Sequence, residues 1–237
     1  MAQSYFIWNG KDCRDMGVKL SGPVPIVFPE ERVQHVEIPG RSGDLTETEG
    51  EQIYNSYIQT ATIMIKGGYR AREIKNWLKG SGFVTFHGEP DKKQAARIIG
   101  AVTLNKHSRN LDWWLGEVQF YCQPLKQLLI ESPVEITEPG NVYVAGDVQA
   151  RPKWTVTLPQ GQTSFWLASG GKRLDVTGIP AGEYVIDSEI MEVTAADGVA
   201  LLTPYSTGDF PVLVPGTNTV TGANWSKVVI NKRERFL

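Results

Sequence analysis

Asp187 and Glu189 flank Ser188, and Asp44, Glu47, Glu49 and Glu51 follow one another along a single loop. By type and spacing these residues come nearest to chemistry. Glycoside hydrolysis needs two carboxyls held at a fixed separation on a β scaffold, one to protonate the leaving oxygen and one to attack or to activate water. Neighbouring acids on turns also serve solvation and local capping, which asks for no reaction. The three histidines, His35, His87 and His107, stand far apart, and none belongs to an HxxH, HxH or HExxH arrangement. A metal centre would have to be assembled from distant loops. The sequence has no GxSxG elbow, P-loop or GxGxxG, and neither Cys13 nor Cys122 has a histidine at a spacing that suggests activation. No catalytic residue, cofactor or metal is expected. Trp113, Trp114, Trp154, Trp166 and Trp225 offer flat surfaces on which a sugar can stack, or packing for a core.

The first acidic run is preceded by the turn Ile38-Pro39-Gly40-Arg41-Ser42-Gly43-Asp44-Leu45. Pro39 presets φ, Gly40 and Gly43 accept positive φ, and Arg41 and Asp44 are free to pair with each other or with a neighbour. The turn leads into an extended run from Tyr54 to Lys66. There Tyr57, Ala61, Ile63 and Ile65 alternate with Ile58 and Met64, so both faces carry apolar groups. One segment, Tyr69 to Lys79, has helical spacing. Ile74, Trp77 and Leu78 share a stripe, Arg70, Arg72, Lys75 and Lys79 lie largely on the wet side, and Gly80 ends the segment as a left-handed cap. Gly82 to His87 is expected as a strand, Gly88 to Asp91 as its turn and Arg97 to Leu104 as its partner. Leu115 to Cys122 alternates with Val118, Phe120 and Cys122 on the buried side, and Pro124 is expected to stop it.

From Ser132 onward the chain becomes a series of short strand candidates separated by turn signals. The candidates are Val134 to Thr137, Lys153 to Leu158, Thr163 to Ala168, Lys172 to Val176, Glu183 to Asp187, Ile190 to Thr194, Thr217 to Thr221 and Lys227 to Arg233. Such a series predicts an antiparallel β-sandwich. The expected architecture is therefore mainly β: an N-terminal β-sheet domain with one α-helix over 1–131 and a C-terminal sandwich over 132–237.

Two domains within 237 residues bury enough apolar surface to fold without staples. No apolar run approaches a membrane span, and Met1 to Tyr5 lacks a signal-type pattern, so synthesis and folding in a cytoplasm are expected, with no membrane partner. In that reducing setting Cys13 and Cys122 are expected as buried free thiols. The net charge of −2 and scattered basic residues give no face for specific DNA binding.

Several blocks, read in order, resemble the distal tail protein family of phages with long non-contractile tails. They are Asp15-Met16-Gly17-Val18, the turn Ile38 to Leu45, Trp77-Leu78, Phe83-Val84-Thr85-Phe86, Glu89-Pro90-Asp91, Val118 to Pro124, Val185-Ile186-Asp187-Ser188, and Phe210 to Asn218. The resemblance covers nearly the whole chain. It implies a ring-forming N-terminal domain, a galectin-like C-terminal sandwich, and a hexameric ring at the virion tail tip. It also implies binding of the tail tube protein on one side and of the tail-tip or tail-associated lysin protein on the other. DNA would pass through the channel without specific binding. No catalytic residue is carried over, and the short loops leave no room for the carbohydrate-binding insertions of some relatives.

On that basis Arg41, Asp44, Tyr57, Ile63, Met64 and Ile65 are candidate contacts between copies. Asp44, Glu47, Glu49 and Glu51 are either channel-lining acids that repel DNA or an ordinary solvated loop. A carbohydrate-binding sandwich acting at a host surface is the alternative function, and an endolysin-type hydrolase a third.

Overall fold

The computed structural model describes residues 4–48, 52–107 and 112–237. The chain divides into two compact units, the first running to Leu129 and taking in Leu237, the second from Ile130 to Phe236. The fold is mainly antiparallel β with one short α-helix.

The first unit contains β1 (Phe6–Trp8), β2 (Lys11–Asp12), β3 (Val18–Leu20), β4 (Val33–Glu37), β5 (Asp44–Thr48) and β6 (Tyr57–Lys66). These are followed by α1 (Ala71–Trp77), β7 (Ser81–Phe86), β8 (Lys92–Ile99), β9 (Leu104–Lys106) and β10 (Trp113–Leu128). One sheet has the order β2-β1-β7-β8-β10-β6-β3, with β9 also paired to β10, while β4 and β5 form a separate two-stranded hairpin. Alternation along β10 sends Val118, Phe120 and Cys122 into the core, as expected from their period of two. They meet Phe6, Trp8, Ile63, Ile65 and the helix residues Ile74, Trp77 and Leu78. The Phe6 and Trp77 rings stack at 5.6 Å, and Phe120 meets Phe6 edge-on at 5.4 Å.

The helical stripe is as predicted, but α1 is shorter than Tyr69 to Lys79 because a 3-10 turn occupies Gly68–Arg70. Gly80 takes φ +79° just past its end. The largest differences from the expected strand boundaries concern β8 and β10. The partner of β7 is Lys92–Ile99, not Arg97 to Leu104, because the turn at Glu89-Pro90-Asp91 is tight and reversal begins at once. Pro124 does not end β10. The ladder with β8 breaks between Cys122 and Lys126 and then resumes, so the proline sits in a bulge, where its missing N–H costs no ladder bond.

The second unit contains β11 (Val134–Ile136), β12 (Gly140–Val144), β13 (Lys153–Leu158), β14 (Ser164–Ser169) and β15 (Lys172–Thr177). It continues with β16 (Gly182–Asp187), β17 (Glu192–Ala195), β18 (Ser206–Gly208), β19 (Gly216–Ala223) and β20 (Lys227–Asn231). They make two five-stranded antiparallel sheets, β11-β20-β13-β16-β17 and β12-β19-β14-β15-β18. Inward residues of both sheets, among them Trp154, Val156, Ile186 and Ile230 from one and Phe165, Leu167, Leu174 and Val220 from the other, share one core. This is the predicted sandwich. β12 was not anticipated; it opens on the Pro139-Gly140-Asn141 turn signal and pairs Asn141 with Thr219. No helix among the described residues is long and apolar enough to cross a membrane.

Candidate assembly interface

Three features of the first unit bear on assembly: the β4–β5 hairpin, the outward face of β6, and a groove beside α1. In the hairpin the predicted turn is present. Gly40 and Gly43 take φ +83° and +81°, and the Arg41 N–H donates to the Ile38 carbonyl at 3.1 Å. Cross-strand neighbours are Glu37 with Asp44, Val36 with Leu45 and Gln34 with Glu47. Arg41, Asp44 and Glu47 are all exposed. No ion pair joins Arg41 to Asp44 among the described residues. Glu49 and Glu51 lie outside the described residues.

Along β6 the residues alternate, and this separates the other contact candidates. Ile63 and Ile65 are fully buried in the unit's own core, so their side chains do not reach its surface. Tyr57 is turned inward as well: its hydroxyl donates to Gln94 Oε1 at 3.1 Å, and burial pushes its pKa up to about 12. Met64 sits on the opposite face with Ile58, which is 53% exposed. Of the β6 candidates, Met64 is the one on the face turned away from the unit's core. Period-two spacing establishes that two faces exist but not which one the protein keeps for itself.

The polar interior around the bulge gave no signal in the sequence. Gln94, 3% exposed, donates its side-chain amide to the Gln123 carbonyl at 2.5 Å, capping backbone that the irregular ladder leaves unpaired. Nearby, Glu89 bridges Lys126 at 2.6 Å and Lys92 at 2.7 Å. Burial raises the Glu89 pKa, but hydrogen bonds and charge from Lys126 and Lys92 outweigh it and hold the carboxyl below its ordinary value.

The residues considered for catalysis are otherwise engaged. Ser188 is buried, accepting from Trp154 Nε1 at 3.1 Å and donating to the Pro211 carbonyl at 2.6 Å. Its neighbours Asp187 and Glu189 pair with Arg233 and Arg235, at 2.6 and 2.5 Å respectively. Burial tends to raise the Asp187 pKa, yet the Arg233 guanidinium and backbone donors bring it below the ordinary carboxylate value, the reverse of what a general acid needs. Asp187 and Glu189 thus fasten the β16–β17 turn to the segment after β20. Among the described residues no cluster of His, Cys, Asp and Glu side chains could hold a metal ion.

Cys13 and Cys122 are both free and buried, as expected, and burial pushes the Cys122 thiol up to about 12. Trp154 is fully buried, and Trp166 carries the Arg173 guanidinium over its ring at 4.2 Å from the centroid, with Arg173 held by Asp175 at 2.6 Å. The groove beside α1 has a volume of about 390 Å³ and is lined by Ala71, Arg72, Ile74, Lys75, Val102 and Leu104.

No protein-family model and no curated protein sequence matches the chain. Among solved structures, the chain is similar to the Dit protein (gp 19.1) of phage SPP1, described as a paradigm of the hub adsorption apparatus in Gram-positive infecting phages. The TM-score is 0.79 at 19% identity, with 100% of each chain covered. Two structures of the phage P2 baseplate in its activated conformation also align. The one with Ca has a TM-score of 0.48 at 9% identity and 97% coverage of each chain, and the one with Sr 0.46 at 9% and 96%. The chain thus shares its fold, over its full length, with the SPP1 Dit protein.

Proposed function

We propose that this chain is a structural component of a phage tail tip, a hub whose copies associate into a ring that joins the tail tube to the host-adhesion apparatus. The observation that carries this reading is the full-length match to the fold of SPP1 Dit, with neither chain leaving a domain unmatched. Order and spacing of the turn and strand blocks, from Ile38-Pro39-Gly40 to Val214-Pro215-Gly216, support it independently of the fold. In this reading the first unit forms the ring, of six copies, and the second unit is a galectin-like sandwich. The partners are the tail tube protein and a tail-tip or tail-associated lysin protein, and DNA crosses the central channel without specific contacts. The chain works by fitting against other subunits and transforms no substrate; the engagement of Asp187 and Glu189 with arginines agrees with that.

Native mass spectrometry of the full-length chain tests the reading. A species near six times the 26.3 kDa chain mass is expected, with ring-shaped particles of uniform diameter in negative-stain images. A chain that stays monomeric at about 100 μM, where even a modest interface of the size class in question associates, would contradict it.

A further inference from the structure

We propose that segment 232–235 is a guard over the open edge of β12, and that displacing it lets β12 of one copy pair with β12 of another. The device belongs to the second unit by itself and does not depend on the hub reading.

β12 ends its sheet and pairs with β19 on one side. Residues 140–146 carry no charge and no proline, and Val142, Tyr143 and Val144 at their centre have high strand propensity. A stretch of that composition on a sheet edge is a template for pairing with its own copy. The edge strand β17 of the other sheet is covered by backbone, the chain returning so that the Leu202 N–H donates to the Val193 carbonyl at 2.7 Å.

On β12 two charged side chains take that part. Lys232 Nζ donates to the Tyr143 carbonyl at 3.1 Å, and the Glu234 carboxylate accepts from the Ala145 N–H at 3.2 Å. One step further, the Arg235 carbonyl accepts from the Asp147 N–H at 2.8 Å. Backbone groups two residues apart point to the same side of a strand, so positions 143, 145 and 147 are three successive places on one edge, and each is occupied. The approach is close at Gly146, where a Cβ would come within 2.7 Å of the Arg235 carbonyl oxygen. Lys232 and Glu234 also pair with each other, and Glu234 is only 3% exposed. A buried ion pair yields little net stability over apolar packing, so stability alone does not account for it. Its two ends do: one satisfies a carbonyl and the other an N–H that a foreign strand would otherwise find. The intervening Arg233 and the following Arg235 reach Asp187 and Glu189, at 2.6 and 2.5 Å, which anchors the guard at the β16–β17 turn.

The test is the native mass of the full-length chain over a concentration series, wild type against Lys232→Ala with Glu234→Ala. Removing both charges together leaves no unpaired ion in the interior, and circular dichroism checks the fold. The double variant is expected to form a species at twice the wild-type mass, growing with concentration. Amide exchange at Ala145 should quicken in dilute solution and slow again as the doubled species forms. Tyr143 is the central residue of the uncharged stretch, so adding Tyr143→Lys sets like charges opposite each other in the new pairing and should return the mass to that of the wild type. Lys227→Ala with Glu135→Ala, which removes an exposed pair elsewhere in the second unit, should leave the mass unchanged. If the double variant folds and keeps the wild-type mass at every concentration, if Tyr143→Lys does not reverse the doubling, or if loss of the exposed pair doubles the mass as well, the assignment is wrong. Should the double variant fail to fold, Arg233→Gly keeps the left-handed backbone, frees the segment from Asp187 and carries the same expectations.

Discussion

Arg233 holds Asp187 with both terminal guanidinium nitrogens, Nη1 to Oδ1 at 2.6 Å and Nη2 to Oδ2 at 2.7 Å, across 46 residues of chain. Arg233 itself stands at φ +51°, a left-handed conformation unusual for a residue with a Cβ. The ion pair secures that backbone and ties the segment after β20 to the β16–β17 turn. A two-pronged grip of this kind suits a rigid joint better than a reacting carboxyl.

Stability should therefore depend on pH through Asp187. Its folded pKa lies below the unfolded value of about 3.9, so the stabilisation is fully present above that value and is lost as the pH falls through the folded one. Asp187→Asn is expected to lower stability at pH 7 by about 1.5–3 kcal/mol, the range for hydrogen bonds to charged groups. The difference from wild type should shrink below about pH 4. Urea unfolding from pH 3 to pH 7 measures it, and an unchanged difference across that range would rule out the ionised pair as its source.

Gln94→Ala should cost about 0.5–1.5 kcal/mol, because it removes the side-chain amide that holds the Gln123 carbonyl at the part-buried bulge. Tyr57→Phe should cost less, since Gln94 keeps its bond to that carbonyl. Amide exchange near Cys122 to Lys126 should quicken in Gln94→Ala and not in Tyr57→Phe. Equal effects in the two variants would show that the bulge is held some other way.

Both thiols should resist a disulfide-exchange reagent at neutral pH until the first unit opens. Burial raises the pKa of Cys13 and takes that of Cys122 to about 12, so little thiolate exists and none is accessible. Since these folded values lie above the unfolded one, the neutral thiols add stability that persists below the unfolded pKa and is lost as pH rises toward 12. Labelling in urea should follow global unfolding; rapid labelling of either cysteine in native buffer would contradict the closed core.

The sequence disclosed those elements whose pattern had one physical solution. Ile74, Trp77 and Leu78 can share a face only in a helix, and Lys153 to Leu158, bounded by turn signals, matches β13 residue for residue. Misplacements arose where two local rules competed. Pro124 carries a stop signal, but resumption of the β8 ladder beyond it prevailed, and Gly140 begins β12 although it belongs to a turn signal. Among the assembly candidates, Ile63 and Met64 were indistinguishable in the sequence. Which face is kept for the core depends on Phe6, Trp77 and Phe120, brought there from distant segments.

Gly116 offers a test of how closely the crossing segment lies on β10. A Cβ added there would come within 2.3 Å of the Thr103 carbonyl oxygen, so the backbone around Thr103 has to move. Gly116→Ala is expected to cost about 1–3 kcal/mol, the range for overpacking. A neutral substitution would mean that this segment stands further from the strand.

Met64 and Ile65 are adjacent in β6 and face opposite ways, so the same substitution should have different consequences at each. Ile65→Glu puts a carboxylate where Ile65 is fully buried, and the first unit should lose several kcal/mol or fail to fold. Met64→Glu places the charge on the half-buried outward face, where folding should survive within about 1 kcal/mol. If that face meets a neighbouring copy, the variant should remain soluble and folded yet shift in native mass toward the single chain, since an unpaired charge buried between subunits costs more than one left in water. A Met64→Glu chain that still assembles fully would assign the outward face of β6 to solvent and leave the ring contact to other surfaces.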